Sequence, residues 1–190
     1  MPHYVVLLRG VNVGPSNRVP MAEFRAALES LGGRDVRTVL NSGNAVFAST
    51  ARSADRLAER IAEVVRSRFG VTTPVIVKSA STFSDIVQGN PFPPADEDAS
   101  RFLVAFAGDA ATLASLGDLS PLARPEERFA VTSHAAYLHC TGGLLESAVG
   151  EALIGRRSRP ITTRNWATVR KIAALLPTTP DLASQRTPRP

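Results

Sequence analysis

Two runs constrain this chain more than anything else in it. HYVVLL (3–8) and RFLVAFA (101–107) are apolar at almost every position, so neither alternates between a core face and a wet face. A strand of that kind has to be covered on both sides. Each run also opens the same order of elements. After HYVVLL come a helical stripe at 20–31 (Phe24, Ala27, Leu28, Leu31), the β-prone runs VRTVL (36–40) and NAVFAS (44–49), and a second stripe at 53–69 (Leu57, Ile61, Val64, Val65, Phe69). PVIVKS (74–79) and a short helix near 82–88 follow. Pro20 suits a first helical position, and Gly32 a C-terminal cap. After RFLVAFA come a short helix at 109–116, a hairpin of RFAVTS (128–133) and AAYLHC (135–140), a helix at 144–155, a short strand in RPITTR, and a last helix at 165–176.

The order β-α-β-β-α-β is the split βαβ, or ferredoxin-like, unit. The expectation is therefore an α+β protein of two tandem ferredoxin-like halves, 1–89 and 101–176, with a C-terminal helix. NPFPPADEDAS (90–100), acidic and proline-rich, reads as the linker. PTTPDLASQRTPRP (177–190) reads as a disordered tail.

Composition narrows the function classes. No apolar stretch reaches the roughly 18 residues that span a bilayer, and the N-terminus lacks the basic-then-apolar pattern of a signal peptide. One cysteine, Cys140, leaves no intrachain disulfide or multi-cysteine metal site, and three scattered histidines suggest no metal ligation. A cytoplasmic protein without metal or cofactor is expected. Charge is uneven: residues 1–95 carry a net +4, 96–151 a net −6 and 152–190 a net +7. The last segment would attract an anion or a nucleic acid. Against that, 20 of the 22 basic residues are arginine in an alanine-rich chain, as genome-wide codon bias would give.

LLRGVNVG near the N-terminus, LNSGNAVF some thirty residues later, NPF at 90–92 and TTRNWATVRKI at 162–172 occur in that order and spacing. Together they resemble an uncharacterised bacterial family labelled domain of unknown function 1697, over residues 3–176. The resemblance implies a compact α+β protein and no established activity, substrate or cofactor. Family members often carry glycine and lysine after the first motif. This chain has PSNR at 15–18, where Arg18 offers the charge with a different geometry.

The ferredoxin-like connection runs strands 1 and 2 in the same direction, so the loops that leave them, RGVNVGPSN and NSGN, should meet beside the helix that begins near Pro20. Arg9, Asn12, Asn41, Ser42 and Asn44 then converge at a helix N-terminus, a setting that suits phosphate or carboxylate. The alternative is that asparagine and glycine are ordinary turn residues, tying the loops together. Neither a P-loop nor a dinucleotide fingerprint is present.

TRNW (163–166) opens the last helix, with Asn165 as a plausible N-cap. Trp166 is either a ligand platform or a core anchor. Arg164, Asn165 and Trp166 are expected to join Arg9, Asn12 and Asn44 in one pocket, or else Trp166 seals the core and Arg164 makes a surface ion pair. The leading expectation is binding of a small anionic ligand. An enzyme using arginine and asparagine to stabilise a charged transition state is one alternative, although no catalytic pattern is visible. Weak, sequence-independent nucleic-acid binding through the basic C-terminal segment is another. A scaffold or oligomer subunit is a third.

Overall fold

A computed structural model describes residues 1–155 and 159–177. Apart from Pro177, the expected tail lies outside the described residues. The protein is α+β, with two four-stranded antiparallel sheets. The chain divides into two compact units: Met1–Ser84 with the described part of Lys171–Pro190, and Asp85–Arg170.

The first unit holds β1 (His3–Leu8), α1 (Met21–Ser30), β2 (Arg34–Val39), β3 (Asn44–Ala48), α2 (Ala54–Phe69) and β4 (Val75–Ser79). Its sheet runs β2-β3-β1-β4, and every pairing is antiparallel. Tyr4 lies opposite Phe47 and Val6 opposite Ala45, so NAVFA pairs with HYVVLL as the repeated element order requires. One face of β1 (Tyr4, Val6, Leu8) packs with Phe24 and Leu28 of α1 and with Leu57, Ile61 and Val65 of α2. The opposite face (Val5, Leu7) is fully buried as well. α2 is the best-delimited helix. Ser53 caps its start by accepting from Arg56 N, and Gly70, at φ +66°, closes its end.

α3 (Ala80–Gln88) crosses the boundary between the units. The second unit then holds β5 (Phe102–Ala107), α4 (Ala110–Ala114), β6 (Arg128–Val131), β7 (Ala136–His139), α5 (Ala148–Ile154), β8 (Ile161–Asn165) and the start of α6 (Trp166–Ala173). Its sheet runs β6-β7-β5-β8. Leu103, Ala105 and Ala107 of β5 pack with Leu113 of α4 and with Val149 and Leu153 of α5. All six residues of β5 are buried, so this central strand is also covered on both faces. The helix expected at 109–116 is instead a five-residue α4 continued by a 3-10 helix, Ser115–Leu122, whose Leu116 and Leu119 carry the apolar face onward. The helix expected at 144–155 is likewise divided, into a 3-10 turn at Leu144–Glu146 and α5.

The acidic, proline-rich segment 90–100 belongs to the second unit. It contains a 3-10 turn, Asp96–Asp98, and Phe92 packs edge-on against Phe102 at 5.7 Å between ring centroids.

One turn decides the register of the first sheet. Gly43 sits at φ +75°, and a Cβ there would lie 2.6 Å from Leu8 Cβ and 2.7 Å from Val11 Cγ2. Gly70 has φ +66° with open space around it. Gly70→Ala should cost about 1 kcal/mol, the backbone penalty alone. Gly43→Ala should cost at least about 2 kcal/mol, because overpacking adds to that penalty. Urea unfolding of the two variants checks this; equal costs would show that Leu8 and Val11 make room for the added methyl.

Candidate functional site

Because β1 and β2 are both antiparallel to β3, their C-terminal ends share one edge of the first unit. Leu8 N donates to Gly43 O at 2.8 Å, which puts the start of the 9–20 loop beside the β2–β3 turn. Arg9 is fixed through its main chain. Its N–H donates to Pro74 O, and its carbonyl accepts from the Thr73 hydroxyl.

Asn12 knits the two loops together. Its Oδ1 accepts from Val19 N at 2.8 Å, and its Nδ2 donates to Val19 O at 2.8 Å and to Asn41 O at 2.7 Å. The side chain thus pairs like a strip of backbone, closing the loop from 12 to 19 and tying it to the turn. Asn12 itself sits at φ +58°, a conformation asparagine tolerates better than most residues. Val11 and Val19, both buried, plug the loop from below. Asn44 is fully buried, and its Nδ2 donates to Val39 O and to Ser42 Oγ inside the hairpin. Asn12 and Asn44 therefore spend amide groups on the loops themselves, the structural alternative weighed for them. Ser42 joins that hairpin bond.

What these loops leave beside α1 is a depression of about 270 Å³ lined by Asn12, Arg18, Val19, Pro20, Met21 and Asn41. α1 starts at Met21; Pro20, expected at the first helical position, stands at its N-cap instead with ψ 125°, and no side-chain hydrogen bond caps the helix. The N–H groups of the first turn are thus left to solvent or a ligand. Glu23 in that turn supplies some compensating negative charge. The sequence marks Arg18 only as the residue standing where relatives carry lysine; the fold makes it the cation of the depression.

Arg164, Asn165 and Trp166 lie in the second unit. Arg164 is 8% exposed and pairs within β8, donating to Thr162 Oγ1 and Thr163 O at 2.7 Å each. Its strand position, opposite Val104 in the middle of β5, is an interior one, not the surface position considered for it. Asn165 caps α6, its Oδ1 accepting from Thr168 N at 2.9 Å. Trp166 is buried edge-on against Phe102, 5.6 Å between centroids, as a core anchor would be. Much of the basic segment 152–190, at 156–158 and 178–190, lies outside the described residues. Among the described residues no cluster of histidine, cysteine and carboxylate groups could hold a metal ion. No helix there is long and apolar enough to cross a membrane.

Residues 1–137 match the family model described as protein of unknown function (DUF1697), and the chain belongs to that family. Its fold is similar to that of the conserved bacterial protein SP0830 from Streptococcus pneumoniae, at 27% identity and a TM-score of 0.69. The alignment covers 91% of this chain and 97% of that one. No curated protein matches the chain.

Burial pushes the Arg164 guanidinium well below its ordinary value, to about 10, by desolvation. The sign follows from proton binding. Below about pH 10 folded and unfolded chains both hold the proton, and the cost of burying the charge is constant. Above it the folded protein releases the proton first, so the unfolded state binds more protons and stability rises with pH. The stability difference between wild type and Arg164→Met should be level from about pH 6 to 9 and move in favour of the wild type above about pH 10. Urea midpoints across that range check it; a difference that stays level through pH 11 would contradict the burial argument.

Proposed function

We propose that the first unit binds a small anionic ligand, phosphate- or carboxylate-bearing, in the depression between the 9–20 loop and the β2–β3 turn. The observation that carries this reading is an uncapped helix start opening onto a concavity that also holds Arg18. The backbone N–H groups of α1 supply directional donors, its dipole adds partial positive charge, and Arg18 adds a full one. Asn41 lies on the facing rim, and Asn12 holds the two rims together. Arg9 holds its loop to residues 73–74 through its main chain, and Asn44 donates to Ser42 inside the β2–β3 turn.

The second unit favours assigning the site to the first unit alone. There the strand-to-helix connection is only Gly108 and Asp109, and Asp109 caps α4 itself, its Oδ1 accepting from Thr112 N at 2.7 Å. The protein's own carboxylate takes the place that an external anion would take in the first unit.

Binding is favoured over catalysis because none of the lining residues carries a carboxylate, imidazole or thiol. The strand orders β4-β1-β3-β2 and β8-β5-β7-β6 support reading each half as ferredoxin-like. A single buried cysteine is compatible with a reducing compartment such as the cytoplasm.

The test is a thermal-shift series with inorganic phosphate, sugar phosphates, nucleoside monophosphates and citrate. At least one should raise the melting temperature by about 2 °C or more at millimolar concentration. Arg18→Ala should abolish the shift while its own melting temperature stays within about 2 °C of wild type, because Arg18 is exposed. If no anion shifts the wild type, or Arg18→Ala responds equally, the reading fails.

A further inference from the structure

Residues 90–101 carry a second device, in the second unit. The segment lies as a strap across one end of the β6-β7-β5-β8 sheet. Phe92 packs against Phe102, and the Arg128 guanidinium sits over the Phe92 ring, 4.5 Å from its centroid. Asp96 pairs with Arg170 of α6, and Ala167 N donates to Ala99 O. At the same end His139 closes β7, opposite Phe102 on one side and Arg128 on the other. Its ring lies 5.9 Å from that of Phe102.

His139 Nε2 is buried and has no hydrogen-bond partner, a costly state for a polar atom. It faces Asp98 Oδ2 on the strap at 3.6 Å, just beyond hydrogen-bond distance. The imidazole is 15% exposed and the carboxylate 33%, so the pair is sheltered yet open to protons from solvent.

We propose that His139 and Asp98 form a proton-operated clasp that tightens the 90–101 strap on the second sheet. A proton taken from water by the imidazole places a cation against the Asp98 carboxylate, and the two draw into an ion pair with a charge-assisted hydrogen bond. Loss of the proton returns the strap to its aromatic and surface contacts. Histidine is the side chain whose charge changes between about pH 5 and 8. The charges around the pair act both ways. On the strap, Asp96 and Glu97 flank Asp98 in sequence and carry like negative charge. Arg101, 3.8 Å from Asp98 Oδ1, competes for the carboxylate, and Arg128 of β6 and Arg170 of α6 add like charge. Arg128 is spread over the Phe92 ring and Arg170 is engaged by Asp96, which leaves Asp98 within ion-pair distance of His139.

The test is amide hydrogen exchange of the full chain at about pH 5.5 and pH 8, corrected for intrinsic rates, with β5 amides as reference. The reporters are the N–H groups of Asp98, Ala99 and Arg101, which donate to Ala95 O, Asp96 O and Asp98 O. Their protection should be about two- to fivefold greater at the lower pH, the range expected of a partly exposed ion pair. The difference should vanish in His139→Gln and in Asp98→Asn. Asp98→Asn replaces a partly exposed carboxylate by its isostere, so the fold should persist even if His139→Gln does not fold. Equal protection at the two pH values, or a pH difference that survives in Asp98→Asn, would overturn the proposal.

Discussion

β1 is hydrogen-bonded along both edges, to β3 and to β4, and buried on both faces. The geometry of the first unit depends on that placement. With β1 antiparallel to both neighbours and β2 antiparallel to β3, β1 and β2 must point the same way. Their exit loops must then meet, and α1 must start where they meet. The same logic holds around β5 in the second unit, with a shorter connection and a different outcome.

The meeting place is built at some cost. Gly10, Asn12, Gly14, Asn17, Leu40 and Gly43 all have φ between +56° and +75°. Glycine and asparagine accept that backbone readily, but Leu40 pays roughly 1–2 kcal/mol for it and is half-exposed besides. The Asn12 side chain offsets part of the cost with three hydrogen bonds. A loop that needed only to link a strand to a helix could do so in two residues, as Gly108 and Asp109 do between β5 and α4. Strain of this kind concentrates where a backbone is held in readiness for something. That is why the proposed ligand site belongs to the longer loop.

Much of this was legible in the residues. HYVVLL and RFLVAFA announce strands covered on both faces, and the spacing of Leu57, Ile61 and Val65 announces α2. Asn165, a plausible cap in the sequence, caps α6, and Trp166, open there between ligand platform and core anchor, is buried. Other features were hidden for physical reasons. An asparagine that bonds a ligand and one that bonds its own loop have the same neighbours in sequence, so the loop-tying roles of Asn12 and Asn44 emerge only from the fold. Arg164 lies in a polar run, TTRN, and its burial depends on β8 pairing with β5 some sixty residues earlier. Segment 90–100 has a linker's composition, yet Phe92 finds Phe102 and Arg128, contacts that composition does not encode. Pro121 breaks the helical pattern after α4, and the 3-10 continuation rests on Leu116 and Leu119 fitting the sheet.

The central claim is that the open start of α1 is an anion site. Titration of isotope-labelled protein with inorganic phosphate, followed through backbone amide chemical shifts, tests it most directly. The account predicts saturable shifts of the Met21, Ala22 and Glu23 amides together with the Asn41 side-chain amide, while the amides of α4, capped by Asp109, stay unmoved. Shifts that grow linearly without saturation, or that spread equally over α1 and α4, would contradict it.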